Sequence, residues 1–532
     1  MTTSYSRPGV YVEEVTLPVN VAALGQESAL GAFVGAALRG PITAPVFVGS
    51  WSDFTRRFGG FRSSDGATTY RLALAVYSFF SNGGRGAYVQ RVCGTGYGSG
   101  TLTIKDAVSS GVDVLTVNAI DPGDWVLNGL YVQVSDVNGT GSAGAPANGD
   151  TFTLTVFNGG ATVGYVVERW TDLSLDVTSA RYALDVVNGN SAWVSLVRPG
   201  AATGTKPPVE NDTPIALAKP GGFGTGSLDG AAVAQADLTS SVDKFDAVPN
   251  NLVFNVPDAY ILGDSSSVAV ANAFIVKAVA RGDSFVIVDV PKTSETTSAA
   301  ALTWSTGVTS TENAAIYFPS IKIVNPVPGA TGRLLTVAPG AAALGVYHRT
   351  DASRGVFRSP AGIVVGALSN AVDVAVALTP TELDNLNTAA KPINAIKTVP
   401  GNGICIMAAR TVGGTNPNRY IASRRTVLAI KKALVDKTQF AVLENNDYLL
   451  WERARTVCSV YLNGLWQAGG LKGTAPSDAF YVKCDETNNT SQTVQDGVLN
   501  IEVGVALQTP AEFVVIRIGQ FEGGSSVIEQ TA

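Results

Sequence analysis

The sequence predicts a multi-domain protein of mixed α/β (α+β) class, and three observations support this. The chain has 532 residues, of which 45% are hydrophobic, enough to form several cores. Segments such as "NLVFNVP" and "SFVIVDVP" are apolar at successive positions, as in parallel strands covered on both faces, and helical patterns alternate with them. The 57 glycines and a charged fraction of only 15% indicate many turns and additional β structure.

The order of these patterns predicts the domain organisation. A Ser-capped helix over residues 50–59 and an amphipathic helix ended by Gly83 and Gly84 belong to an initial α/β segment. At "GTGYGSG" the pattern changes to short alternating strands between Gly, Asn and Pro clusters, which indicates a β-rich insertion. The predicted division is an N-terminal arm (1–22), a first core segment (23–93), a β-rich inserted outer domain (94–199), a linker (200–242), a middle α/β domain (243–366), a C-terminal core domain (367–521) and a C-terminal arm (522–532).

Composition excludes several classes of function. A net charge of −6 argues against a general nucleic-acid binder, so we expect protein partners. The four cysteines are scattered without a C-x-x-C pair, which favours neither a zinc site nor a disulfide framework and fits a reducing compartment. No signal peptide and no apolar run of membrane-spanning length is visible.

The search for catalytic chemistry yields no site. His348 is the single histidine, and in the loop-like stretch "VYHRTD" it is interpreted as a structural or surface residue. A hydrolase using a serine, His348 and an acid is the enzyme alternative, but no G-x-S-x-G motif is present. "GTGYGSG" lacks the third glycine of a dinucleotide fingerprint, and "RGD" at residues 281–283 is interpreted as a helix-ending turn. We therefore predict no catalytic, cofactor-binding or metal-ligating residues and no cofactor.

Strand-like segments at the two chain ends have no adjacent partner. The stretch "RPGVYVEEV" has β character, but only six residues precede it. An unpaired strand exposes backbone N–H and C=O groups that can pair with another chain. The last strand, over residues 512–521, is followed by a Gly-rich tail with an apolar centre. The residues predicted to form such inter-subunit strands are Val10, Tyr11, Val12, Val15, Val514, Val515, Ile516, Ile518, Val527 and Ile528.

A helix predicted over residues 419–436 carries four cations at a spacing of seven: Arg424 with Lys431, and Arg425 with Lys432. A solvated helix face is one interpretation of this stripe, and an acidic partner surface is the other.

Several stretches, taken in order, resemble the tail sheath protein family of contractile phage tails and contractile injection systems. They are "RPGVYVEEV", "AAIYFPSIKI", "VAPGAAALGVYHRTDASRGVFRSPAG", "GNGICIMAARTV", "NRYIASRRTVLAIKKAL", "FAVLENNDYLLWERARTVCSVYLNGLWQAGGLKG" and "PAEFVVIRI". The resemblance covers both termini and most of the last 300 residues, and it is loose in the insertion.

The resemblance implies a multi-domain sheath core with an outward inserted domain, whose terminal arms add strands to sheets of neighbouring subunits. It implies a non-enzymatic structural subunit that polymerises as stacked hexameric rings around an inner tube and contracts with energy stored at assembly. The implied partners are other copies of the chain, the inner tube protein, and baseplate and tail terminator or cap proteins, without nucleic acid or a membrane span. The basic stripe would then face the tube. The implied location is the bacterial cytoplasm during assembly, then the virion tail or injection particle. A static self-assembling shell or surface-layer protein is the alternative.

Overall fold

The computed structural model describes residues 29–61, 70–106, 112–127, 129–138, 150–199, 206–211, 213–220, 227–327, 332–414 and 418–512. All ten residues predicted to form inter-subunit arm strands lie outside these ranges, so those strands stay predictions.

The beginning of the described chain contains three strands and two helices, and the two helices lie close to their predicted positions. They are β1 (Leu30–Gly35), β2 (Val46–Val48), α1 (Trp51–Phe58), α2 (Arg71–Ser81) and β3 (Ala87–Arg91). The Ser50 hydroxyl accepts a hydrogen bond from the Asp53 amide and caps α1, as the sequence predicts.

The insertion consists of two antiparallel sheets around one core. Its elements are β4 (Thr101–Lys105), β5 (Asp113–Ala119), β6 (Leu130–Asn138), β7 (Thr151–Asn158), β8 (Val166–Ser174), α3 (Ala183–Val187), β9 (Val194–Val197) and β10 (Ile215–Ala216). The sheet orders are β4-β5-β9 and β10-β6-β7-β8. Because β10 pairs with β6 and Leu217 lies in the insertion's core, the stretch predicted as a linker contributes a strand to this domain.

The rest of the chain returns to alternating strands and helices. Its elements are α4 (Gln235–Ser240), β11 (Leu252–Asn255), α5 (Asp264–Arg281), β12 (Phe285–Asp289), α6 (Ser298–Ser305), β13 (Ala314–Phe318), β14 (Ile321–Val324), β15 (Leu334–Val337), α7 (Gly340–Arg354), β16 (Ala371–Val374), α8 (Pro380–Thr388), β17 (Ile393–Val399), β18 (Gly403–Ile406), α9 (Ile421–Thr438), α10 (Tyr448–Gln467), α11 (Pro476–Ala479), β19 (Phe480–Lys483), α12 (Ser491–Gln495) and β20 (Glu502–Val505).

An eight-stranded sheet forms the centre of the molecule, in the order β18-β17-β13-β12-β11-β1-β3-β2. Its inner pairs are parallel, and the edge strands β2 and β18 run antiparallel to their neighbours. Smaller sheets, β15-β14-β16 and the pair β19-β20, complete the fold.

Alternate side chains of the central strands enter two different hydrophobic cores. On β12, for example, Phe285 and Ile287 join the core formed with α1, α2 and α7, while Val286 and Val288 join the core formed with α5 and α6. Helices thus cover both faces, which explains why the strands are apolar at every position.

The insertion joins the core through a compact junction. Arg91, which is 1% exposed, donates hydrogen bonds to the carbonyls of Ala37, Gly40 and Pro122 at 2.8–3.0 Å. The two connecting chains meet where the Gly94 amide donates to the Asp229 carbonyl at 3.1 Å. A side chain at Gly94 would place its Cβ 1.8 Å from the Ala231 carbonyl oxygen, so only glycine fits there.

Some predicted helix ends were displaced. Helix α9 begins at Ile421, two residues after the predicted start. Helix α10 is capped by Asp447, whose carboxylate accepts from the Leu450 amide at 3.0 Å. Gly282 ends α5 in the left-handed conformation (φ 70°), which confirms the interpretation of "RGD" as a helix-ending turn.

Candidate functional site

The described fold begins and ends beside one helix, α9. At the N-terminal side, the Leu30 amide donates to the Asn251 carbonyl at 2.9 Å, which starts β1 between β11 and β3. Ala29 lines a small cavity with Arg425 and Leu428 of α9. The described chain therefore begins on an inner strand of the central sheet.

The C-terminal side is held by a carboxylate at the last described position. Glu512 receives two hydrogen bonds from the Arg410 guanidinium, Nε to Oε1 at 2.7 Å and Nη2 to Oε2 at 2.6 Å. Tyr420 and Asn387 also donate to it. Although burial opposes ionisation, the Arg410 charge holds the pKa of Glu512 below its ordinary value. The carboxylate thus fixes the point from which residues 513–532 continue.

A buried ion pair fastens α9 to α7 near the N-terminal exit. The Arg425 guanidinium forms two parallel hydrogen bonds to the Asp351 carboxylate, and both side chains are 2% exposed. Arg425 also lies over the Tyr347 ring, 4.6 Å from its centre, and the Tyr347 hydroxyl is 2.7 Å from that of Tyr317 on β13. Burial alone would lower the pKa of Arg425, but the Asp351 charge raises it above its ordinary value.

Arg424 is also engaged inside the chain. Its Nη1 lies 2.5 Å from Glu312 Oε1, and its Nε donates to Asn313 Oδ1 at 2.6 Å. The prediction that Arg424 and Arg425 belong to a partner-facing basic stripe is therefore wrong. A spacing of seven places residues on one side of a helix, but it does not show that the fold covers the first half of that side.

Lys431 and Lys432 occupy the second half of the stripe and have a different environment. Lys431 is exposed, and Lys432 is half-buried and paired with Asp436 one turn further on. The prediction of a tube-facing stripe therefore remains as a proposal for these two lysines.

His348 lies inside α7 and is 1% exposed, so its predicted placement in a loop is wrong. Its Nδ1 accepts a hydrogen bond from the Arg85 amide at 3.2 Å, and its ring packs edge-on against Phe79. Burial lowers the pKa of His348 to about 4, so the ring is neutral at pH 7. With no access from solvent, it cannot serve a hydrolase as a general base.

The position where doubly wound sheets usually bind ligands is filled by the chain's own side chains. Such ligands lie outside the carboxyl ends of the strands, where the strand order reverses. Here that place lies between β1 and β11, and the Asp258 carboxylate accepts there from the Ala36 amide. Burial raises the pKa of Asp258 to about 6, although Ala36 and Arg71 favour its charged form. A Cβ at Gly35 would lie 2.7 Å from Asp258 Oδ2, so the crevice has no free space at this point.

A second buried carboxylate fills the adjacent position. Asp289, at the end of β12, accepts from the Gly340 amide at 2.6 Å and from Asn255 Nδ2 at 2.8 Å. Burial raises its pKa to about 6. Within the described ranges, no group of three or more His, Cys, Asp or Glu side chains is placed to hold a metal ion. None of the described helices is long and apolar enough to cross a membrane.

The fold was compared with solved structures. One chain of the contracted baseplate of the anti-feeding prophage is 17% identical, with a TM-score of 0.59 over 97% of this chain and 99% of that chain. A sheath tail protein from Listeria innocua is 14% identical, with a TM-score of 0.58 over 88% of this chain and 92% of that chain. The helical sheath of the anti-feeding prophage in its contracted state is 20% identical, with a TM-score of 0.54 over 97% of this chain and 100% of that chain.

The chain has the fold of contractile tail sheath proteins. The likeness spans the sheath chains almost from end to end and confirms the fold that the sequence resemblance implies. The sequence matches no protein-family model, and it matches no curated protein.

Proposed function

We propose that the chain is the structural subunit of a contractile sheath. It polymerises as stacked hexameric rings around an inner tube, and its contraction drives the tube through a target envelope. The observation that carries this proposal is the match to the helical sheath of the anti-feeding prophage in its contracted state, which covers 97% of this chain and 100% of that one.

The terminal exits support the proposal. The segments 1–28 and 513–532 continue from two anchored points, the start of β1 and the Arg410 and Glu512 pair. A strand that reaches a neighbour transmits force only if its root is fixed in its own subunit. In this proposal the arms pair with sheets of neighbouring subunits, and the half-buried two-stranded sheet of β19 and β20 is a candidate for such pairing.

The filled carboxyl edge of the central sheet supports a non-enzymatic role. Contraction without nucleotide hydrolysis requires that the free energy be stored in the assembled contacts. The place where a doubly wound sheet would bind a nucleotide contains Asp258 and Asp289 instead. The proposed partners are other copies of the chain, an inner tube protein, and baseplate and terminator or cap proteins.

Electron microscopy of the purified chain, alone and with an inner tube protein, tests the proposal. We expect helical tubes or stacked rings in two states that differ in length and diameter. A single lattice geometry under all conditions would favour the static shell instead. Deletion of residues 1–17 or 522–532 should leave folded monomers, and unchanged assembly after both deletions would contradict the role of the arms.

A further inference from the structure

The turn between α9 and α10 presents an apolar knob, residues 442–449. Leu443 is 102% exposed, more than any other large apolar side chain of the described chain. Its backbone is left-handed (φ 65°), which is strained for a bulky residue and persists only where the surroundings hold it. Val442, Tyr448 and Leu449 beside it are 63% to 75% exposed. A fixed turn thus holds four apolar side chains on the surface.

The base of the knob is anchored in the fold. The Asn446 side chain accepts a hydrogen bond from Trp451 Nε1 at 2.7 Å and donates one to the Val498 carbonyl at 3.0 Å. Phe440, just before the knob, packs in a small core with Leu450 and Trp451. The knob therefore keeps its position relative to α10.

The knob is also acidic. Glu444 and Asp447 are exposed, and neither forms an ion pair with any described residue. The nearest cations in the sequence, Lys437 and Arg453, each lie over an aromatic ring of their own chain, 5.3 and 4.1 Å from its centre. A complementary surface would have to be apolar and basic.

A cavity between the end of α7 and residues 508–510 has this chemistry, and we call it the socket. Its volume is about 420 Å³. Ile363 and Val364, which line it, are 48% and 71% exposed. Arg354 and Arg358 line it as well, and they form no ion pair with any described residue. None of the described residues that line the socket is acidic, so its charge is positive.

The knob and the socket lie at opposite ends of α10. Asp447, within the knob, caps the first turn of the helix. Beyond the last turn, a Cβ at Gly469 would lie 3.8 Å from Arg358 Nη2, and one at Gly470 would lie 2.9 Å from the Phe357 ring. The 20 residues of α10 span about 30 Å. The knob therefore cannot enter the socket of its own chain.

We propose that the knob of one copy docks in the socket of a second copy. Its apolar side chains cover Ile363 and Val364, and Glu444 faces the two arginines. Because the two surfaces differ, the contact is head to tail, and its repetition gives rings or helices. The contact supplements the pairing of the arms, and it rests on the proposed function in one respect, since the sheath brings the copies together.

Cross-linking between two single-cysteine variants of the full chain tests the contact. Val442→Cys is mixed with Val364→Cys under assembly conditions and treated with a short bismaleimide. The matched control uses Val460→Cys instead of Val442→Cys, because Val460 lies on α10 outside the knob and is 67% exposed, against 69% for Val442. Each variant treated alone measures the background from the four native cysteines.

We expect the mixed product to form about ten-fold faster with Val442→Cys than with Val460→Cys. Adding Glu444→Arg to the first variant should slow it, and so should adding Arg354→Glu/Arg358→Glu to the second. Combining both reversals should restore the rate, because the charges are then exchanged. Equal rates for Val442→Cys and Val460→Cys would overturn the proposal, and so would a combined reversal that restores nothing.

Electron microscopy of the same samples separates the contact from the proposed sheath. Helical tubes or stacked rings that form while the two rates are equal overturn the contact alone. A fast cross-link between copies that form no tubes supports the contact and contradicts the sheath.

Discussion

The guanidinium of Arg425 and the carboxylate of Asp351 face each other through two parallel hydrogen bonds in a place that water does not reach. The pair joins α9, which lies between the two terminal exits, to α7, which packs on the central sheet. The contact therefore fixes α9 against a helix that covers one face of the central sheet.

Removal of one member of this pair should be strongly destabilising. We expect Asp351→Ala to cost about 3–5 kcal/mol, because it leaves a buried cation without a partner. Replacement of both members by apolar residues, Arg425→Met/Asp351→Leu, should cost much less. Urea unfolding followed by circular dichroism measures both effects. Glu452→Ala, which breaks the exposed pair with Arg455, is the control and should cost about 0–1 kcal/mol. An equal loss in Asp351→Ala and Glu452→Ala would contradict this assignment.

The Asp258 carboxyl should make the core more stable as the pH falls. Its pKa is about 6 in the fold and 3.8 ordinarily, so the folded chain binds the proton more tightly. The resulting stabilisation is fully present below pH 3.8 and is lost as the pH rises through 6. Between pH 7 and pH 5 we expect a gain of about 1 kcal/mol in wild type relative to Asp258→Asn. The prediction is wrong if the free energy of unfolding changes with pH by the same amount in wild type and in Asp258→Asn.

His348 should make the fold less stable as the pH falls, opposite to the effect of Asp258. Its pKa is about 4 in the fold and 6.5 ordinarily, so the unfolded chain binds the proton more tightly. The stability is present above pH 6.5 and is lost as the pH falls toward 4, by about 1.4 kcal/mol per pH unit at most. His348→Gln keeps an acceptor for the Arg85 amide and should flatten this region of the profile in thermal unfolding. The interpretation fails if the acid sensitivity of the variant equals that of wild type.

Loss of the Glu512 carboxylate should loosen the C-terminal exit without unfolding the core. In Glu512→Ala, hydrogen exchange at residues 508–512 should show local opening that is easier by about 1–3 kcal/mol. The control Glu502→Ala removes an exposed carboxylate on β20, which accepts a hydrogen bond from the Tyr481 hydroxyl. If both variants exchange alike, Glu512 does not anchor the segment. Assembly yield should fall in Glu512→Ala while the monomer stays folded.

Charge reversal on the outer half of α9 should weaken binding to an acidic tube. Lys431→Glu/Lys432→Glu should reduce co-sedimentation with tubes by about ten-fold at low salt, and the difference should shrink at high salt. Lys472→Glu, an exposed lysine outside α9, is the control. Equal weakening of tube-free sheath assembly would show that these lysines act between subunits instead.

The sequence predicted the class of fold and many element ends, because caps and stops are local. Ser50 and Gly282 act within one turn of the chain, and their roles follow from residue type. Helix α7 escaped detection because it is buried on nearly all sides, so "GAAALGVYHRTD" has no polar face to reveal its period. The partners of Arg424 and Arg425 lie 74 to 112 positions away, at Asp351, Asn313 and Glu312, a relationship that spacing within a helix cannot show.

Because Gly94 and Asp229 lie within hydrogen-bond distance of each other, another domain can take the place of the β-rich insertion. The two connecting chains leave the core within one hydrogen bond of each other, so the ends of an insert must lie equally close. The insert must also supply an acceptor in place of the Pro122 carbonyl, to which the buried Arg91 donates. An unrelated domain with adjacent termini, grafted between residues 94 and 230, should leave the central sheet intact. In the proposed sheath, a fluorescent domain placed there would report the position of each subunit.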